Sequence, residues 1–202
     1  MSINGVGSGL IGINFISGNS LTLTNVNIMN FNAGSAIGVL FAPNAANTVL
    51  EVNNSVITSN GLAPTTGGGI VVQPAVGGNA EVVVSDSRIE NNSDAVKINS
   101  TSGTVVMTVR ESTLANNRGS GINSIAGNGI LLMLDRDTIS NNLQNGVISS
   151  GRNSIVRINA SAIMGNGTGV SSAAGGVVRS YKNNAINGNA VDGTPIAQEL
   201  LN

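Results

Sequence analysis

Charged residues are rare in this chain, and several of them recur at a nearly constant interval. Asp86, Glu111 and Asp135 are separated by 25 and 24 residues. Carboxylate oxygens are the ligands that a hard cation such as calcium prefers. If one structural unit repeats at this interval, the three carboxylates lie on adjacent units of one face and form a candidate metal site.

Each of these acids has an arginine within two residues of it in the sequence. The name charged cluster is used below for six residues, Asp86, Arg88, Arg110, Glu111, Asp135 and Arg136. We expect them on one outer face across three neighbouring units, as a candidate binding surface. In a simpler interpretation, Arg110 faces Asp135 in a cross-strand ion pair, and Glu111 faces Arg136 in the same way. Such exposed pairs keep like charges apart but add little stability.

The composition argues against several other functions. The sequence has no His and no Cys, which rules out a Ser-His-Asp triad, a His-based zinc site, thiolate metal sites and disulfide bonds. Only 9% of residues are charged, the net charge is −1 and 2% are aromatic, a poor match to a nucleic-acid partner. The longest apolar runs, such as residues 130–134, are too short to span a bilayer.

One sequence pattern, repeated along the chain, must position these residues. Each copy has a short apolar strand, a Ser, an aliphatic anchor and, three residues after the anchor, an Asn. The anchors are Ile28, Ile57, Ile89, Leu114, Ile139, Ile163 and Ile186. The residues three positions later are Phe31, Asn60, Asn92, Asn117, Asn142, Asn166 and Asn189. Anchor spacings of 29, 32, 25, 25, 24 and 23 residues are typical of stacked repeats.

A single copy of the pattern indicates the fold. Met107 and Val109 alternate with polar residues, as in a strand with one buried face, and Gly121-Ile122 opens a second strand after a bend. Two strands and two bends in about 25 residues leave no room for a packed helix. The sequence therefore predicts an all-β, single-stranded right-handed parallel β-helix of about seven to eight coils. Each coil adds a rung of about 4.8 Å.

Two polar columns are expected at the bends of this helix. A buried bend leaves backbone groups without partners, and a side-chain amide can both donate to them and accept from them. The Asn residues should therefore form a ladder. A second ladder should contain Ser55, Ser87, Ser112 and Ser161, with Val26, Asp137 and Asn184 as departures. We expect hydroxyls and bend amides to hydrogen-bond the Asp137 carboxylate, and Asp137→Ser to cost little stability. A chemical role with a raised pKa is the alternative.

The last coil carries a resemblance to known proteins. Residues 180–189 read Ser-Tyr-Lys-Asn-Asn-Ala-Ile-Asn-Gly-Asn, followed by Asp192-Gly193. This ending and the coils before it, about residues 9 to 193, resemble bacterial right-handed parallel β-helix repeat proteins. That broad group shares its coil with pectate lyases and periplasmic copper-associated β-helix proteins.

The resemblance implies a specific chemistry for the charged cluster. In polysaccharide lyases of this fold, carboxylates on adjacent coils hold calcium and a Lys or Arg acts as the base. By this analogy Asp86, Glu111 and Asp135 would hold calcium. Arg110 or Arg136 would lie next to a uronate, and Asp137 is a further catalytic candidate.

The ends of the chain lead to separate predictions. We expect one β-helix domain over 1–202, with a partial N-terminal coil over 1–20, repeat coils over 21–189 and a C-terminal cap over 190–202. In the cap, Ile196, Leu200 and Leu201 would cover the last rung. The N-terminal coil has no such cover, which predicts either an end-to-end homo-oligomer or a natural chain that begins earlier.

The function that these features favour is a non-catalytic structural or surface module of an exported bacterial protein, which contacts polysaccharide and needs no cofactor. The absence of groove-building loops and of an outward aromatic ladder supports this interpretation. The alternative is a carbohydrate-active enzyme of the lyase or glycosidase type, with calcium. A third is a piece of a longer repeat protein. The expected location is extracytoplasmic or secreted, although the sequence shows no export signal.

Overall fold

A computed structural model describes residues 1–62, 67–195 and 197–198. Three parallel sheets run along the molecule. Sheet A contains β1 (Ser2–Asn4), β4 (Asn27–Met29), β7 (Val56–Thr58), β10 (Arg88–Glu90), β13 (Thr113–Ala115), β16 (Thr138–Ser140), β19 (Ala162–Met164) and β22 (Ala185–Ile186). Sheet B contains β2 (Ile11–Phe15), β5 (Ile37–Phe41), β8 (Gly68–Val72), β11 (Val96–Asn99), β14 (Ile122–Ile125), β17 (Asn145–Ser150) and β20 (Thr168–Ala173). Sheet C contains β3 (Ser20–Thr24), β6 (Thr48–Asn53), β9 (Asn79–Ser85), β12 (Thr104–Arg110), β15 (Gly129–Asp135), β18 (Ser154–Asn159), β21 (Val177–Ser180) and β23 (Ala197–Gln198).

The chain passes through sheets C, A and B in turn and then rises to the next coil. Each strand pairs in parallel with the strand one coil before and after it, as β12 does with β9 and β15. The result is a β-solenoid of about seven turns, which confirms the predicted parallel β-helix. The described residues contain no helix, and hence none that could cross a membrane.

Each coil has three strands rather than the two expected. The additional strand lies in sheet A and is only two or three residues long, so that it contains little more than the aliphatic anchor and its neighbours. A strand this short shows no alternation of polar and apolar residues, which explains why the sequence pattern resembled a bend at this place.

The core is a set of aliphatic stacks inside the coil. The anchors from Ile28 to Ile163 are fully buried, and Val109 stacks between Val84 and Leu134. The sequence pattern that places Val109 and Ile158 in this second stack predicts Tyr181 there in the last coil, but Ser180 is the residue in register with Ile158. Burying one such aliphatic side chain contributes about 1.5–3 kcal/mol, so the stacks supply most of the driving force for folding.

The Asn ladder is the main polar feature of the interior. Asn60, Asn92, Asn117, Asn142 and Asn166 are at most 2% exposed. In each step, one side-chain oxygen accepts both the backbone N–H and the side-chain N–H of the Asn one coil earlier, as between Asn117 and Asn142. The same amide donates to the anchor carbonyl one coil earlier, as Asn142 does to Leu114 at 3.1 Å. Each ladder residue thus connects three consecutive coils.

A column of glycines lies beside the Asn ladder. A Cβ on Gly121 would meet Ile139 Cγ2 at 2.6 Å, the Gly146 carbonyl oxygen at 2.7 Å and Asn142 Nδ2 at 3.0 Å. Gly146 occupies the same position one coil later and is equally confined. The coils therefore approach too closely at Gly121 and Gly146 for a side chain, and the largest residue in this column is Ala95, one coil before Gly121.

The C-terminal cap is described only in part. Ala197 and Gln198 form β23, which adds a further parallel strand to sheet C beside β21. The cap residues Ile196, Leu200 and Leu201 lie outside the described residues.

Candidate functional site

The charged cluster lies at and beside the corner where the chain turns from sheet C into sheet A. Arg110 and Asp135 end β12 and β15 and are directly paired in the sheet. Glu111 and Arg136 follow them with φ of 51° and 56°, the conformation that turns the chain through the corner. Asp86 takes the same position one coil earlier, with φ of 52°. The repeat therefore brings these residues together on three adjacent coils.

Arg136 is the centre of the ion pairs in the cluster. Its Nε is 2.9 Å from Glu111 Oε1, which is the predicted cross-coil pair. Its Nη1 is 2.8 Å from Asp135 Oδ2, so Asp135 is paired with Arg136 and not with Arg110 as expected. The hydrogen bond to Glu111, and then the charge of Asp135, raise the pKa of Arg136. Arg88 lies on sheet A and forms an ion pair with Glu90 at 2.9 Å.

The arrangement bears on the proposed calcium site. In the part of the chain that the structure describes, no three carboxylates converge to form a metal site. Glu111 and Asp135 instead converge on the guanidinium of Arg136. Calcium binding by Asp86, Glu111 and Asp135 stays a prediction, and it would require this arrangement to change.

Asp137 lies beneath the corner and is only 2% exposed. Its Oδ1 accepts from the Ser112 N–H at 2.9 Å and its Oδ2 accepts from the Asp135 N–H at 3.0 Å. The partners of the carboxylate are thus the expected bend amides, whereas the Ser161 hydroxyl accepts from the Asp137 backbone N–H. Burial raises the pKa of Asp137 to about 7. The hydrogen bonds from the two backbone N–H groups stabilise the carboxylate, but they offset only part of the cost of burying its charge.

Asp94 is a second buried acid, which the sequence pattern did not indicate. It is fully buried where the chain enters sheet B, with Oδ1 2.7 Å from the Ser120 N–H and Oδ2 2.9 Å from Asn123 Nδ2. Burial raises its pKa. Ser120 occupies the same place one coil later and accepts from the Asn145 N–H at 3.4 Å. Asp94 and Ser120 thus belong to a further polar column, which could have indicated this buried acid. The column is hard to recognise in the sequence because its spacing from the Asn ladder is unequal.

A cleft lies on the outer face of sheet C, near the first coils. Its volume is about 290 Å³, and its lining consists of Thr24, Glu51, Val52, Asn53, Val83, Ser85 and Arg110. Glu51 and Arg110 give it one acidic and one basic wall. Of the charged cluster, only Arg110 contributes to it. Sequence reasoning missed the cleft because its depth depends on the short side chains Thr24, Asn53 and Ser85, which come from three successive coils.

Comparisons with known proteins add no identification to this geometry. A scan against models of known protein families finds no match, and searches of curated proteins and of solved structures find no significant similarity. The resemblance to lyase-like β-helix proteins therefore stays a prediction about ancestry.

Proposed function

We propose that this chain is a non-catalytic β-helix module that acts as a rigid surface or spacer domain of an exported bacterial protein and contacts polysaccharide. The observation that carries the proposal is that the buried polar side chains are occupied by hydrogen bonds within the coil. The Asn ladder is buried in hydrogen bonds between coils, and Asp137 accepts only backbone amides. The groups that chemistry would need are thus employed in holding the coil together.

Rigidity supports the spacer role. Successive coils are connected by strand pairing in three sheets and by the Asn ladder in the interior. Seven rungs at about 4.8 Å give a rod of roughly 34 Å. A continuous rod of this kind fixes the distance between whatever is attached to its two ends.

The charged corner supports a contact with acidic polysaccharide. The side chains of Arg88 and Arg136 are 63% and 51% exposed, so their guanidinium groups can reach a ligand despite their ion pairs. A guanidinium recognises a sugar carboxylate through two parallel hydrogen bonds. The two arginines lie two coils apart beside one corner, about 10 Å along the rod, which suits a linear acidic polymer that runs along the rod.

The same geometry weighs against the enzymatic alternative. A general base must lose a proton easily, yet the interaction with Glu111 raises the pKa of Arg136. A general acid must reach the substrate, yet Asp137 is 2% exposed. Arg136 and Asp137 are two of the three catalytic candidates, the third being Arg110, and both are better placed for structural roles.

The N-terminal coil supports the proposed end-to-end association of copies. Residues 1–50 contain no Asp, Glu, Lys or Arg. Leu10 and Ile16 at this end are 66% and 57% exposed. Edge strands are usually protected from pairing by charged side chains. Two N-terminal coils can therefore approach each other without repulsion between charged side chains.

We expect the purified chain to capture acidic glycans on a polysaccharide array, with equal signal in calcium and in a chelator. The double variant Arg88→Ala/Arg136→Ala should lose this capture because both exposed guanidinium groups are gone. Arg152→Ala, which removes an exposed arginine between β17 and β18, is the matched control and should bind like the wild type. Binding that requires calcium would favour the carboxylate site instead, and an array without any signal would refute the polysaccharide contact.

A further inference from the structure

The outer face of sheet C has an exposed aliphatic stripe at its centre. The stripe occupies two adjacent columns of outward residues and consists of Val83, Val106, Leu131, Met133, Ile155 and Val177. Val106 and Leu131, in the middle of the sheet, are 52% and 43% exposed. Clustered apolar residues on a sheet face are typical of interaction surfaces.

Charges on the same face are divided by sign along the rod. Glu51 and Glu81 project outward from β6 and β9, on the N-terminal side of the stripe. Arg157 and Arg179 project outward from β18 and β21, beside the C-terminal part of the stripe formed by Ile155 and Val177. Glu51, Arg157 and Arg179 belong to one column, and Glu81 to the column beside it. The face is therefore acidic at one end, apolar in the middle and basic at the other.

We propose that sheet C is the interface of a two-fold symmetric dimer, with a second copy of this chain as the occupant. The axis lies between the two sheets, parallel to the strands and midway between β12 and β15, so that the two rods run antiparallel. This operation places β12 against β15 of the second copy, β9 against its β18 and β6 against its β21. The contact is isologous and closes on itself, as in most homodimers.

The sign pattern of the face is self-complementary under this operation. Glu51 comes to face the second copy's Arg179, and Arg110 comes to face its Asp135. Glu81 lies one outward position, about 6.6 Å along the strand, from the second copy's Arg157, within reach of a long side chain. Symmetry doubles each of these three pairs. A parallel arrangement of the rods would instead bring acids against acids and arginines against arginines.

The shape of the sheet C face is also self-complementary under this two-fold rotation. The cleft occupies the N-terminal half of sheet C, where Thr24, Asn53 and Ser85 are short. The strands that come to face it carry the long side chains of Arg157 and Arg179. Arg179 of the second copy would therefore enter the cleft beside Glu51, which gives both the cleft and its acidic wall a role.

The area agrees with a stable dimer. Seven strands at a spacing of about 4.8 Å, each with about 20 Å of outward-facing length, cover roughly 700 Å² per copy. Specific interfaces typically bury about 800 Å² per partner. The aliphatic stripe would form the dry centre and the ion pairs the rim, as is usual for such contacts.

Charge reversal tests the dimer without disturbing the core. Glu51→Arg/Glu81→Arg makes both ends of the face basic, and Arg157→Glu/Arg179→Glu makes both ends acidic. In sedimentation velocity, at concentrations too low for end-to-end association of the N-terminal coils, we expect the wild type to be a dimer. Each double variant alone should be a monomer there, with association weakened about a hundredfold or more. An equimolar mixture of the two variants should form a heterodimer again, because each basic end then meets an acidic one.

The mixture also controls for misfolding, since an unfolded variant cannot restore the dimer. Arg152→Glu reverses a charge outside sheet C and should leave the dimer intact. A monomeric wild type at the highest attainable concentration would overturn the proposal. Double variants that associate like the wild type would also overturn it, and would place the contact at the uncharged N-terminal coil. Glycan capture by Arg88 and Arg136 is measured independently, so the two proposals fail separately.

Discussion

Replacing Asn117 by Ala should lower the free energy of unfolding by about 3–5 kcal/mol. The side chain accepts from the Asn92 N–H at 2.9 Å and donates to Asn142 Oδ1 at 2.8 Å and to the Ile89 carbonyl at 3.4 Å. Asn117 is fully buried, so water cannot replace these partners without opening the coil. Each buried group left unsatisfied costs about 1–3 kcal/mol, and Asn117→Ala affects at least two of them.

Urea unfolding measures this loss, with Asn116→Gly as the matched control. Asn116 is the exposed neighbour of Asn117 and has φ of 58°, a conformation that glycine adopts without strain. We expect the control to lie within about 0.5 kcal/mol of the wild type, as is usual for surface substitutions. Equal stability of the two variants would mean that the ladder does not hold the coils together.

Replacing Asp137 by Ser should stabilise the protein at pH 8 and have much less effect at pH 4. Burial raises the pKa of Asp137 from 3.8 to about 7 in the folded chain. Between these values the folded state keeps a proton that the unfolded state releases. The contribution of the Asp137 carboxyl to the free energy of unfolding is therefore greatest below pH 3.8. This contribution is lost as the pH rises to about 7.

The size of the effect follows from the shift. A difference of about 3 pKa units corresponds to up to about 4 kcal/mol at pH 8. Serine fits the position because Ser112 and Ser161 occupy it in the coils on either side. Each of these hydroxyls donates to the carbonyl two residues earlier, at 2.8 Å. The variant should therefore retain a hydrogen-bonded corner without a buried charge.

Urea unfolding at intervals from pH 4 to pH 8.5 measures both curves. The stability of Asp137→Ser should fall less steeply with pH than that of the wild type, although Asp94, whose pKa is also raised by burial, keeps some slope in both. Asp86→Ser, at the exposed corner, is the control for removing a carboxylate that is not buried. Parallel curves for Asp137→Ser and the wild type would show that the Asp137 carboxyl does not titrate in this range.

The architecture could be predicted because the repeated combination of residues is typical of stacked coils and uncommon in other folds. An aliphatic anchor with an Asn three residues later recurs at intervals in the twenties, and stacking is the only way to bury every anchor. Which residue of a given coil points inward was harder to predict, because this can depend on the register of a single strand. Tyr181 was placed in the core because its coil resembles the others, yet Ser180 takes the inward position.

The candidate site was predictable in location and less so in its contacts. Coil spacing alone places Glu111 and Arg136 on adjacent rungs, and their ion pair was predicted correctly. The pairing of Asp135 with its neighbour Arg136 depends on the positive φ at the corner, which turns Arg136 back toward Asp135. Asp94 was missed because its column does not keep a constant offset from the Asn ladder, with Asp94 two residues after Asn92 but Ser120 three residues after Asn117.

The surface of sheet C required the register of the whole sheet. Glu51 and Arg179 are far apart in the sequence, and nothing in their local surroundings connects them. Only the paired positions of six consecutive strands place them in one column, at opposite ends of an apolar stripe.

The account rests on the claim that the polar groups of this chain are structural rather than catalytic. The most direct test is to incubate the purified chain with a uronate-containing polysaccharide, with and without calcium, and to measure the chain length of the polymer over time. We predict that its length distribution stays unchanged while the polymer is bound. New chain ends that appear with the wild type and disappear with Arg136→Ala would contradict the claim and establish an enzyme.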